Sequence, residues 1–528
     1  MKLLLISLQS NAYVAGLKYI GANARANGHD VRILLLPGYI DSSLHPAIED
    51  FIRDYNPDLI GVSLMSIEFY PAKILTHLLH EKFSIPVLWG GVHVVLTPDE
   101  CIKYADYVCC GEGERAVVSV LNHLRDKGRD VPPEVPNIWS RINGQIIKQP
   151  LSPPEENLDS LPYQEYLPEY YYFFHNDRIY NFSRHPELFR RYALYGGTCH
   201  MMITTRGCPF SCGYCANSSL VSVYGKKIRE RSVENCLEEL KAVKKDPYVL
   251  YINFEDDCFL VHSMEWLKKF TEEYKKHINL PFMVRAIPTM VDMGKLLMLK
   301  KAGLSWIIMG VQSGSDHVNF DIYGRKVPFA VVKKAAELVS KSRAVPYYEM
   351  IVDNPYETEQ DMIETINAMS TLKKPYTTSL AHLTFFPGTP LTQKALKDKI
   401  IDPEAYLHRY MIEIEKTYFN KLLNITPYIP QFAVRFLNKP EASRKWLHSF
   451  LLQILHFSVR RTIEPAVYLF LIARSLDYKP DWIIRTIEGN WRSAISKFVS
   501  NYLGKNDLKY GKKLTYLRKT MPELFEME

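Results

Sequence analysis

Short apolar runs alternating with helical spans recur in two stretches of this chain, and that rhythm restricts the fold more than any other feature. The first stretch has runs at 3–8, 31–36, 59–64, 86–89 and 107–110, and its first helical span, 16–27, closes on Gly28. Strands buried on both faces and joined through helices pair in parallel, as a doubly wound sheet. Six further strand signals follow at 201–205, 249–254, 282–285, 306–310, 347–352 and 379–385, the succession of a partial (β/α)6 barrel. A chain of 528 residues is too long for one core. The expected organisation is an α/β domain at 1–125, a Pro- and Tyr-rich connector at 126–198, the barrel at 199–395 and a basic, mostly helical region at 396–528.

Sheets of this kind bind ligands at the carboxyl ends of their strands. In the first domain those ends carry Ser63-Leu64-Met65-Ser66, Gly90-Gly91-Val92-His93 and Gly111-Glu112-Gly113-Glu114. No GxGxxG follows the first strand, so a dinucleotide is not favoured. A scaffold with a lost site, with His93 as a turn or capping residue, is the plain alternative. In the connector, the aromatic run at 170–174 suits packing between domains better than a substrate channel.

The second stretch opens on Cys208, Cys212 and Cys215, spaced Cys-x3-Cys-x2-Cys. Three thiolates on a tight loop hold three irons of a [4Fe–4S] cube and leave the fourth open to a small molecule. Gly207 and Gly213 are expected to let the loop wrap closely around such a cluster. Zinc would want a fourth ligand, and the nearest further thiol, Cys199, lies outside the loop. Nine cysteines without a secretory leader argue for a reducing, cytoplasmic setting rather than disulfides. The apolar start of the chain is short, runs into Gln9-Ser10-Asn11, and reads as a buried strand.

With these motifs the sequence resembles the radical S-adenosylmethionine (SAM) enzymes that carry an N-terminal cobalamin-binding domain. The resemblance spans roughly residues 1–395, with the motifs in order. It implies a Rossmann-like cobalamin-binding domain, a radical SAM barrel, and a [4Fe–4S] cluster, SAM and cobalamin as cofactors. Cobalamin contacts would fall at Ser63, Leu64, Met65, Gly90, Gly91, His93, Gly111, Glu112 and Gly113. The histidine loop Asp-x-His-x-x-Gly that ligates cobalt in other cobalamin proteins is missing, so no histidine from that motif would meet the metal. SAM contacts would come from Arg285 after the third barrel strand and Gln312 and Ser313 after the fourth, while Asp256 and Asp257 after the second would meet the SAM amino group or the substrate. Asp256 and Asp257 could instead cap the following helix near Ser263, and Ser313 or Ser315 could start a helix. Asp353 and Asn354 stand where the family has Gly and an apolar residue.

The resemblance implies reductive cleavage of SAM, hydrogen abstraction from an unactivated carbon and, in much of this branch, methylation of that carbon by way of cobalamin. A radical cyclase or oxidoreductase without methyl transfer is the second reading, and a cobalamin- or SAM-binding sensor without turnover the third. An electron donor such as flavodoxin or ferredoxin is implied, and no nucleic-acid module accompanies the motifs. The region 401–528 holds 20 Lys+Arg against 13 Asp+Glu, whereas the first 400 residues are neutral, 45 against 45. Its apolar runs on either side of Arg460-Arg461 are each too short to span a bilayer. They read as two helices docked on the barrel or, alternatively, as a peripheral membrane surface suited to a lipid or large hydrophobic substrate.

Overall fold

The structure is a computed structural model and describes residues 1–164, 167–193, 197–402 and 414–476. Among the described residues the chain forms two compact units, the first built on residues 1–198 with 219–225, the second on 199–218 and 226–476.

The first unit is one nine-stranded sheet. Its parallel centre is β1 (Lys2–Ser7), β2 (Asp30–Leu35), β3 (Leu59–Ser63), β4 (Val87–Gly90) and β5 (Tyr107–Cys109). The antiparallel hairpins β6 (Ile138–Ile142)/β7 (Gln145–Lys148) and β8 (Tyr171–His175)/β9 (Arg178–Asn181) flank it, in the order β7-β6-β5-β4-β3-β1-β2-β8-β9. Helices Ala15–Ala26, Pro46–Tyr55 and Phe69–Lys82 and the short pair Val92–Leu96 and Pro98–Cys101 connect the parallel strands, and helix Gly113–Lys127 leads from β5 to β6. The expected doubly wound sheet is therefore present. The segment expected as a connector adds four strands to it. Both hairpins turn through left-handed residues, Asn143-Gly144 and Asn176-Asp177, which the twist of a two-residue hairpin favours. The aromatic run at 170–174 departs from expectation too. Tyr171 and Phe173 are buried in the core of this unit, and Phe173 packs on Phe182 with ring centroids 4.2 Å apart.

The second unit holds a six-stranded parallel sheet in sequential order: β10 (Cys199–Met202), β13 (Tyr251–Phe254), β14 (Phe282–Ala286), β15 (Leu304–Gln312), β16 (Val345–Val352) and β17 (Thr377–His382). A small antiparallel pair, β11 (Thr205–Arg206) and β12 (Arg229–Glu230), follows β10. Ile252 and Phe254 of β13 and Phe282 and Val284 of β14 point to the outer, helix-covered face, where they join Leu267, Phe270 and Tyr274 of helix Met264–His277. Burial of each such side chain stabilises the unit by about 2 kcal/mol. Side chains alternate along a strand, so Asn253, Arg285 and Glu349 fall on the opposite, inner face. Helix starts are capped by side chains: Ser232 accepts from Asn235, Ser263 from Trp266 and Asp292 from Lys295, while Thr358 and Asp361 form a capping box.

Beyond the sheet, helices Tyr418–Ile425 and Gln431–Leu437 lie against helices Phe329–Ser342 and Glu359–Ser370 through a shared core. The expected pair of helices after them is one continuous rod. Helix Trp446–Ser458 passes through a π-helical turn, Val459–Ile463, directly into helix Glu464–Ser475, with right-handed helical backbone at both joints. The rest of the basic C-terminal region, 477–528, lies outside the described residues, and among those described no helix is long and apolar enough to cross a membrane.

Candidate functional site

The cluster loop leaves the carboxyl end of β10, where Thr204 and Thr205 are both buried. One oxygen of Asp256 anchors them: its Oδ1 accepts from the Thr204 amide (2.9 Å) and hydroxyl (2.7 Å) and from the Thr205 amide (2.5 Å) and hydroxyl (2.6 Å). Thr204 Oγ1 also lies 2.8 Å from His262 Nε2, and His262 Nδ1 lies 2.8 Å from Glu230. Asp256 thus ties the loop to the barrel and caps no helix. Asp257 turns the other way. Asn217 bonds it, and its charge lies close enough to Cys208 and Cys215 to disfavour their thiolates.

Cys208, Cys212 and Cys215 are free, half-buried thiols. Burial pushes Cys208 up to about 12 and Cys215 to about 11. Burial also raises Cys212, tempered by the nearby Arg325 guanidinium. Iron binding would displace these protons. Among the described residues no three His, Cys, Asp or Glu side chains converge tightly enough for one metal ion. Three thiols spread along a loop instead fit a cube, which brings its own sulfides and several irons. The two glycines are also needed for packing within the protein. A Cβ on Gly213 would sit 3.3 Å from the Tyr323 carbonyl oxygen, and Gly207 is left-handed (φ +104°) with the Lys227 carbonyl 3.2 Å from its Cβ position. Protein backbone fills the space that a side chain at either position would need. The Gly213 amide donates to Tyr323 O at 2.7 Å, which seats the loop on the turn after β15.

Arg325, which the motif reading missed, comes from that turn. It is buried, and its guanidinium donates to the carbonyls of Val311 (3.1 Å) and Gly310 (2.7 Å). Its Gly-Arg-Lys surroundings carry no motif, so only the fold reveals it. On the inner face, Arg285 bridges Glu255 (3.0 Å) and Glu349 (2.9 Å), joining β13, β14 and β16 in one charged belt. Both signs of charge there suit a zwitterion such as an amino acid head group.

Gln312 lies at a bulge between β15 and β16 and is left-handed (φ +71°). Ser313 is buried against Thr365 Oγ1 (2.9 Å), and Gly314 is pressed onto the same helix, its Cβ position 2.7 Å from Thr365 Cα. Ser313 therefore shapes this turn from inside. Near it, burial pushes the carboxyl of Glu357 up to about 8. Asp353 is also left-handed (φ +59°), a conformation that glycine adopts without strain. Its carboxylate accepts from the Asn420 side chain at 2.5 Å and the Glu415 amide at 3.0 Å, and lies 3.0 Å from His382.

In the first unit β1 lies between β2 and β3, so the topological switch point opens beside the carboxyl ends of β1 and β3. Ser63 pairs with Gly90 across β3 and β4. Gly91 is left-handed (φ +103°), and a Cβ there would come 2.5 Å from the Leu64 carbonyl oxygen. Leu64 is buried, whereas Met65 stands 42% exposed, its amide held by Glu68 at 2.9 Å. His93 is wholly buried, with Nδ1 2.9 Å from Ser66 and Nε2 3.2 Å from Thr97, so its ring shapes the loop from behind. Gly111 is required by Asn137, whose Cγ lies 2.7 Å from the Cβ position, and Gly113 by Ile20 at 3.1 Å. Glu112 Oε2 accepts from the Glu155 amide at 2.8 Å. The glycine backbones, Ser63 and Met65 at these strand ends fit cobalamin, and His93 is buried behind the loop. The loop after β1, with exposed Ser10, also leaves a carboxyl strand end at the switch point and carries no motif.

Comparisons with known proteins match the domain in each unit. The B12 binding domain model matches residues 1–121 and the radical SAM superfamily model residues 202–369. An uncharacterized methyltransferase of Pyrococcus horikoshii is 24% identical over 392 residues, covering 73% of this chain and 79% of that protein. The anaerobic magnesium-protoporphyrin IX monomethyl ester cyclase of Rubrivivax gelatinosus is 23% identical over 412 residues, 74% of this chain and 68% of that protein. Among solved structures, the cobalamin-dependent S-adenosylmethionine radical enzyme OxsB with aqua-cobalamin bound superposes with a TM-score of 0.63 at 15% identity, over 98% of this chain and 84% of that one.

Proposed function

From the premise that this chain belongs to the radical SAM enzymes with an N-terminal B12-binding domain, we propose that it methylates an unactivated carbon of a lipid or other large hydrophobic substrate. Its cofactors are a [4Fe–4S] cluster, SAM and cobalamin. The observation that carries the proposal is a three-thiol loop at the carboxyl end of a six-stranded parallel sheet, in a chain whose first unit matches the B12 binding domain model.

When bound, these groups supply reductive cleavage of SAM to a hydrogen-abstracting radical and a methyl group carried on cobalt. The chain's residues do the positioning. Cys208, Cys212 and Cys215 hold three irons. Asp256 fixes the loop through Thr204 and Thr205, and Arg325 places a positive charge beside Cys212. The belt of Glu255, Arg285 and Glu349 orients the charged end of SAM, with Gln312 and the turn shaped by Ser313 beside it. Asp257 faces the loop, where it can meet the SAM amino group. In the first unit, Ser63, Met65 and the Gly90-Gly91 and Gly111–Gly113 backbones receive cobalamin. A flavodoxin- or ferredoxin-type donor would supply the electron, and peripheral contact with a membrane would give access to a lipid.

The cyclase relative supports a second reading, a radical cyclase without methyl transfer. The test is anaerobic turnover of the reconstituted enzyme with cobalamin, a chemical reductant and SAM labelled in its methyl group. Label on cobalamin together with 5′-deoxyadenosine supports methylation. 5′-Deoxyadenosine with unlabelled cobalamin overturns it in favour of the cyclase.

A further inference from the structure

The first half of the long C-terminal rod is inverted relative to an ordinary surface helix. Leu452 and Val459 are buried against the core shared with the barrel helices. The opposite side, which should be polar, carries Trp446, Phe450, Ile454 and Phe457, all exposed, at helical spacing. Trp446, 76% exposed, stacks on Phe450 at 5.4 Å with ring planes 11° apart. Helix Gln431–Leu437 extends the patch. Its Phe432 is 76% exposed, and Phe436 stacks on His448 of the rod at 5.0 Å. An exposed apolar patch of this extent marks a binding surface.

Its rim decides the partner. Residues 431–463 hold six Lys+Arg (Arg435, Lys439, Arg444, Lys445, Arg460, Arg461) against one acid, Glu441. Lys439 lies over the Phe436 ring (5.8 Å) and Arg461 over Phe457 (4.2 Å), so cations border the aromatics directly. A second copy docking on this face would bring two basic rims together, and like charges across an interface disfavour it. The following segment, 477–528, is itself basic, with ten Lys+Arg against seven Asp+Glu, and offers no charge complement. Aromatic and aliphatic side chains edged by Lys and Arg match the boundary between acyl chains and anionic head groups.

We infer that the face formed by Phe432, Phe436 and the outward side of 446–457 docks on an anionic lipid surface, with the rod lying in the plane of the head groups. The inference deepens the lipid-substrate reading but stands on geometry independent of the reaction.

The test is flotation of the full-length protein with vesicles of phosphatidylcholine alone and of two parts phosphatidylcholine to one part phosphatidylglycerol, following Trp fluorescence in parallel. Binding is expected only to the anionic vesicles, with a blue shift of Trp emission. The variant Lys445→Ala/Arg461→Ala should weaken it about fivefold per cation removed. The variant Trp446→Ser/Phe450→Ser/Phe457→Ser should abolish binding while its unfolding midpoint stays unchanged, because these side chains are already in water. Equal binding to both vesicles, no binding to either, or concentration-dependent self-association lost in the triple Ser variant would overturn the inference. Membrane docking can fail while labelled methyl still reaches cobalamin, so this result and that of the turnover assay are distinguishable.

Discussion

Asp256 and Asp257 are neighbours with opposite duties, and substitution separates them. Asp256→Asn would give four donors of Thr204 and Thr205 a weaker acceptor in a buried site. The expected loss is about 1–3 kcal/mol, read as a lower denaturation midpoint of the apoprotein. Asp257→Asn should leave that midpoint in place and change the response of the cluster's electron paramagnetic resonance signal to SAM. Sequence placed both at the right strand end but could not say which faced the loop, because strand termini twist and a two-residue order does not fix side-chain direction. His93 makes a prediction about pH. Burial holds its pKa at about 4, whereas an unfolded histidine titrates near 6.5. Between those values the unfolded chain binds more protons. This contribution is therefore complete above about pH 6.5 and shrinks as pH falls towards 4, by up to about 3 kcal/mol. Urea unfolding across that range should show a flatter dependence in His93→Gln.

At the scale of elements, the turn after β16 is the sharpest departure from the family pattern. Glycine at position 353 would relieve the left-handed backbone, yet Asp353→Gly should lower stability, by about 1–3 kcal/mol. The carboxylate that joins His382 to Asn420 and the Glu415 amide would be gone, and thermal unfolding checks the sign. Gly213→Ala tests the seating of the cluster loop: its methyl group would press on the Tyr323 carbonyl, so reconstituted iron content should drop while the fold persists. The strands of both sheets were legible because buried parallel strands are continuous apolar runs. Two hairpins were not, although Asn143-Gly144 stood in the sequence as a turn signal. Their strands are only partly buried and lie in a Pro- and Tyr-rich stretch that reads as a connector. The aromatic run was misassigned for a related reason, since buried area is the same whether a ring packs in a core or between domains.

For the whole molecule, the two cofactor sites belong to separate compact units. Replacing Cys208, Cys212 and Cys215 together with Ala should abolish iron loading and SAM cleavage yet leave cobalamin binding intact, as seen in the absorption spectrum of the protein after gel filtration. Loss of cobalamin along with iron would contradict this independence. The cysteine spacing disclosed the cluster without help from the fold, whereas Arg325 and the loop after β1 are invisible in sequence because only folding brings them to their sites. The π-helical turn at 459–463 has a consequence of its own. One extra residue in a helix advances all that follows by about 100°. Without that offset, the side of the rod that turns Phe450 and Phe457 to the outside would carry on through Tyr468, which would then leave Trp306. The turn acts as a phase shifter that lets one helix face outward over its first half and inward over its second. Deleting a single residue there should do more damage than any substitution along its length.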